Sequence, residues 1–73
     1  MHPYTLAIER FPSPQTGGVH HHELKTIEAK NDAEAIQRAK FIANELFSAY
    51  EVKVIVMVIG PSSGRPIETI ERG

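Results

Sequence analysis

The chain has 73 residues, contains no cysteine, and nearly balances its eight basic residues against nine acidic ones. This length predicts a single domain over residues 1–73, and a domain this small buries only about 60% of its unfolded surface. The missing cysteines exclude disulfides and thiolate metal sites and favour a cytoplasmic location, the scattered charge argues against nucleic acid as a partner, and no apolar run reaches the ~20 residues of a membrane-spanning helix.

Two alternating segments at the start of the chain predict an antiparallel hairpin. The first strand is expected from Tyr4 to Phe11, because apolar and polar residues alternate there. Segment 12–18 contains two prolines and a glycine pair, which favour a loop. The second strand is then expected from about Val19 to Ala29.

Folding this hairpin symmetrically about its loop predicts a definite register. Leu24 would lie opposite Leu6, so that apolar residues meet on one face. The other predicted pairs are Thr26 with Tyr4, His22 with Ile8, His20 with Arg10, His21 with Glu9 and Lys25 with Thr5. We expect this register because a shift by one residue would bury charged side chains.

The segment Asn31 to Tyr50 predicts one amphipathic helix. Asn31 is a favourable N-cap residue, and Glu34 stands three residues later as in a capping box. At about 100° per residue one broad stripe is apolar, which predicts a helix lying on a sheet. The apolar positions are Ala35, Ile36, Ala39, Ile42, Ala43, Leu46, Phe47 and Tyr50. Three of its alanines are spaced four residues apart, which would allow a close approach to the sheet.

The third predicted strand, Val52 to Ile59, is apolar on both faces. Four valines occupy one face, and Ile55, Met57 and Ile59 occupy the other. This pattern is typical of a strand that is buried on both sides. A turn-rich segment follows, and then a short edge strand from Ile67 to Ile70.

The predicted fold class is therefore α+β with the order ββαββ. Two antiparallel hairpins would form a four-stranded twisted sheet, with one helix packed on one face. The order of the strands within the sheet stays open.

Three consecutive histidines are the clearest candidates for ligand chemistry. On a strand, His20 and His22 would point to the same side with Cα atoms about 6.5 Å apart, which suits binding of one metal ion. A third ligand would come from His2, Glu9 or a second subunit. The predicted register sets Arg10 beside His20, and this positive charge would oppose metal binding.

No catalytic residue is predicted. Ser62 and Ser63 lie in a turn flanked by glycines, which lacks the strand-to-helix elbow used by hydrolases. The same glycines neither precede a Lys-Ser/Thr pair nor open a helix, which argues against a phosphate-binding loop. We therefore expect neither enzyme activity nor a cofactor.

Two features predict an interaction surface. Phe41 falls among polar residues on the outer side of the helix, and exposed aromatic residues of this kind often anchor interfaces. One helix covers only one face of the sheet, so the second face would expose apolar residues. They are Ile27, Ala29, Ile55, Met57 and Ile59. Such a surface suits a homodimer, through faces or edges, or another protein partner, unless polar neighbours fold over it and keep a monomer.

The function that the sequence favours is a non-enzymatic interaction or regulatory module, acting as a homodimer through the apolar sheet face. The alternative is a metal- or small-ligand-binding protein that uses His20 and His22.

Overall fold

The fold is seen in a computed structural model that describes residues 1–13, 19–47, 51–62 and 64–73. These ranges contain β1 (His2–Pro12), β2 (His21–Ala29), α1 (Asp32–Leu46), β3 (Glu51–Ile59) and β4 (Pro66–Arg72). The α+β class and the order ββαββ are confirmed. Part of the predicted first loop (14–18), the predicted last helical residues (48–50) and Ser63 lie outside the described residues.

The strands form one antiparallel sheet in the order β2-β1-β3-β4. β1 pairs with both β2 and β3, so these two strands run parallel to each other on either side of it. A tight turn cannot join two such strands, and α1 lies in the crossover connection between them. β3 is therefore an inner strand, and β4 forms an edge as predicted.

α1 begins with the predicted cap. The Glu34 backbone N–H donates a hydrogen bond to the Asn31 side-chain oxygen at 2.9 Å, and the Lys30 N–H donates one to the Glu34 carboxylate at 3.1 Å. The first bond satisfies an amide that the start of a helix leaves unpaired, and the second ties the residue before the cap to the first turn. The helix ends earlier than predicted, at Leu46, because Phe47 is extended with φ −74° and ψ 108°.

The predicted alanine positions form the contact between α1 and the sheet. Ala35, Ala39 and Ala43 are fully buried, and α1 packs mainly against β3 and β4. The rest of the core consists of Tyr4, Leu6, Ile8, Ile27, Ala29, Val54, Val56, Val58 and Ile70. In the described part of the chain, no helix combines the length and the hydrophobicity that crossing a bilayer requires.

The predicted register of the first hairpin is wrong by one residue. Leu6 lies opposite Lys25 instead of Leu24, and Tyr4 lies opposite Ile27. The other pairs shift equally: Thr5 with Thr26, Ala7 with Leu24, Ile8 with Glu23, Glu9 with His22 and Arg10 with His21. The side chains of β2 that face α1 are therefore the ones that were predicted to point away from it.

The position of α1 explains this register. Ile27 and Ala29 are buried under the helix, contrary to the expectation that they face solvent. Glu23 and Lys25 share their face but stay exposed, because β2 is an edge strand. The burial of charge that argued against this register does not occur.

A turn joins β3 to β4. The Gly60 N–H donates a hydrogen bond to the Arg65 carbonyl oxygen at 3.1 Å. Gly64 has φ +66°, in the left-handed region that favours glycine. β4 then runs from Pro66 to Arg72, longer at both ends than predicted.

Candidate functional site

The sheet face opposite α1, here called the open face, contains three rows of neighbouring residues. Residues directly opposite each other in antiparallel strands share a face, so the register defines each row. From β2 to β4, the central row is Leu24, Ala7, Met57 and Thr69; one outer row is Thr26, Thr5 and Ile59; the other is His22, Glu9, Ile55 and Glu71. The open face is therefore apolar from Ile55 to Ile59 of β3 and along most of the central row. Beyond Ile55, Lys53 lies opposite Phe11 on the same face.

Three of the predicted partner residues lie together on the open face. Ile55, Met57 and Ile59 are each partly exposed, whereas the valines that alternate with them are fully buried. Leu24 extends this apolar surface onto β2, and its side chain is 67% exposed. The sequence did not place Leu24 on this face, because the predicted register turned Leu24 toward the helix.

Phe41 lies on the other side of the sheet. Its side chain is 65% exposed and lines a groove of about 450 Å³ between α1 and β2, here called the β2 groove. The groove is lined by Lys25, Ile27, Glu34, Gln37, Arg38, Phe41 and Ile42. Next to it, Arg38 donates a hydrogen bond from Nη1 to the Glu28 carbonyl oxygen. The predicted partner residues therefore belong to two separate surfaces.

The predicted metal ligands lie where β2 begins. The strand starts at His21, so His20 precedes it. The His20 ring stacks on the Phe11 ring, with centroids 4.4 Å apart and an angle of 13° between the planes. This aromatic contact gives His20 a packing role that the sequence did not predict.

The neighbours of the histidines also differ from the prediction. Arg10 lies opposite His21, and Glu9 lies opposite His22, because the register is shifted by one residue. Within the four described ranges, no group of three or more His, Asp or Glu side chains is placed to hold a metal ion. Metal binding by His20 and His22 stays a prediction.

A cleft of about 740 Å³ lies where the start of α1 meets the start of β1 and the turn after β3. Within it the Tyr4 hydroxyl donates a hydrogen bond to Asp32 Oδ1 at 2.7 Å. This hydrogen bond, together with burial and the nearby carboxylate charge, raises the pKa of Tyr4 above its ordinary value. The phenol keeps its proton at neutral pH, so Tyr4 serves as a donor that ties β1 to the start of α1.

No protein-family model matches the sequence, and no curated protein or solved structure is significantly similar to it. A functional proposal therefore rests on the geometry of the open face and of the β2 groove.

Proposed function

We propose that this protein is a non-enzymatic interaction module that acts as a homodimer through its open face. The observation that carries the proposal is a continuous apolar surface: Leu24, Ala7 and Met57 are neighbours across three strands, and Ile55 and Ile59 flank Met57 along β3. Large exposed apolar patches are uncommon on monomers and mark interaction sites. A sheet with a helix on one face gains a second covering layer by packing against another sheet.

A second copy of the chain suits this face because the three rows are self-complementary. A two-fold axis along the central row would set Met57 against Met57 of the second copy, and Ile55 against Ile59. The same axis would set the threonines of one outer row against Glu9 and His22 of the other. Apolar residues then meet apolar ones, polar residues meet polar ones, and the contact closes at two copies.

The substitution Met57→Glu tests this proposal. It sets two carboxylates against each other at the centre of the dimer contact, without a partner for either. At about 10 μM chain, the variant should have half the solution mass of the wild type. Light scattering measures this mass, and circular dichroism confirms that the variant folds.

Ala33→Glu is the matched control. Ala33 is exposed on α1, away from the open face, and an acidic residue suits the first turn of a helix. This variant should keep the wild-type mass. Equal masses for the wild type and Met57→Glu would refute the proposed dimer.

A further inference from the structure

The outer edge of β2 is a second surface able to bind a copy of itself. None of the described residues extends the sheet beyond β2. An edge strand presents unpaired backbone N–H and C=O groups to which another strand can bind. β2 has nine residues and no proline, whereas the other edge strand, β4, has seven residues and begins with Pro66. β2 is therefore the edge better suited to pairing.

The pairing of β1 with β2 identifies which backbone groups of β2 point outward. Pro3 lies opposite Glu28. Since proline has no N–H, these two residues cannot exchange the two hydrogen bonds of a bonded pair. Glu28 therefore directs its N–H and C=O away from β1, and its carbonyl accepts the hydrogen bond from Arg38 instead. Alternate residues point the same way: Thr26, Leu24 and His22.

We propose that two copies of the protein pair their β2 strands antiparallel about a two-fold axis at Leu24. Leu24 then forms a hydrogen-bonded pair with Leu24 of the second copy, and His22 forms one with Thr26 on either side. The bonded pairs stop before Glu28, whose carbonyl oxygen is already bound by Arg38.

Charge selects this register. With the axis at Leu24, Glu23 of each copy lies opposite Lys25 of the other, in pairs without backbone hydrogen bonds, where side chains are closest. Moving the axis by one residue sets Glu23 opposite Glu23 or Lys25 opposite Lys25, and both arrangements are unfavourable. Both side chains are exposed in the single chain and accessible to a second copy.

The β2 groove supports the same contact. Phe41 lines this groove with Lys25 and Ile27, on the face of β2 that also carries Glu23. The axis at Leu24 brings the grooves of the two copies to the same side of the joined sheet, next to the shared edge. A largely exposed aromatic residue at that position is the kind of side chain that anchors interfaces.

The edge contact and the open face share one row of residues. Leu24 marks the edge axis and also belongs to the central row, along which the proposed face axis runs. Two perpendicular two-fold axes that meet close an assembly at four subunits. The edge contact is independent of the face contact, and only the tetramer rests on the proposed function.

Charge reversal tests the edge contact. Glu23→Lys turns both facing pairs into like-charge pairs and should raise the dissociation constant of the edge contact about tenfold, as should Lys25→Glu. The double variant E23K/K25E restores opposite charges and should bind within about threefold of the wild type. Glu68→Lys is the matched control, because Glu68 is exposed on the other edge strand.

Sedimentation equilibrium up to about 200 μM reads out each contact separately. The wild type should reach four chain masses, and Met57→Glu, which removes only the face contact, should stop at two. Adding Glu23→Lys to Met57→Glu should shift that protein toward single chains. The edge contact would be refuted if the Met57→Glu protein is monomeric at every concentration. It would also be refuted if Glu23→Lys leaves the measured masses unchanged. A wild type that stops at two chains and is weakened by Glu23→Lys but not by Met57→Glu would support the edge contact and refute the proposed function.

Discussion

β3 presents two apolar faces that differ in what covers them. Three valines that point toward α1 are fully buried: Val54, Val56 and Val58. Ile55, Met57 and Ile59 on the open face are partly exposed. The side chains on both faces are similarly apolar, so the composition of β3 does not decide which face is covered. The single helix decides it, and no helix or strand of the described residues lies over the open face.

Two neighbouring substitutions on β3, one on each face, should differ most in their effect on stability. Val56→Glu places an unpaired carboxylate in the core and should cost several kcal/mol, enough to unfold a domain of this size. Met57→Glu places the same group one residue away, on the open face, and should leave the chain folded. Urea denaturation followed by circular dichroism measures both. Equal stability of the two variants would contradict the distinction between the faces.

A larger side chain on the covered face should have the next largest effect. Ala39 is fully buried between α1 and the sheet, so Ala39→Leu should destabilise the fold by about 1–3 kcal/mol through overpacking. Ala33 on the same helix is exposed, and Ala33→Leu should change the free energy of unfolding by less than about 0.5 kcal/mol. Comparable losses of stability in the two variants would mean that the buried alanines of α1 do not form a tight contact with the sheet.

The smallest predicted effect concerns the hydrogen bond from Tyr4, on the covered face, to Asp32 at the start of α1. The hydrogen bond to Asp32 raises the pKa of Tyr4 in the folded protein. Its contribution to stability is therefore complete below the unfolded pKa of about 10, and is lost as the pH rises through the higher folded value. From about pH 9 to about pH 11, the free energy of unfolding should fall more steeply in the wild type than in Tyr4→Phe. Parallel pH profiles would show that this bond does not stabilise the fold.

The element order and the covered face could be predicted because their sequence signals are local and consistent. Asn31 and Glu34 mark the start of the helix: Asn31 caps the Glu34 amide as predicted, and the Glu34 carboxylate reaches back to the amide of Lys30. β3 alternates without interruption on its valine face, so the residues that meet α1 follow from the strand period alone. The end of the helix was less predictable, since Phe47 continues the apolar stripe but adopts an extended conformation.

The register of β2 could not be predicted because its apolar residues do not keep to one face. Leu24 occupies one side, and Ile27 and Ala29 occupy the other. The choice depends on which end of β2 the helix covers, and this is a property of the assembled sheet. The same error hid part of the candidate site, because Leu24 reaches the open face only in the observed register.

Which strand Phe41 lies beside was also outside the reach of the sequence. A helical wheel shows that Phe41 points away from the core, but not which strand lies beside it. The structure sets Phe41 next to the β2 edge, on the other side of the sheet from Met57.

The most direct test of an interface on the open face is the solution molar mass of the wild-type protein, measured by light scattering from about 1 to about 100 μM. We predict a mass of at least twice the 8.1 kDa of one chain within this range. A mass of one chain at every concentration would contradict the homodimer and leave the open face without the partner proposed for it.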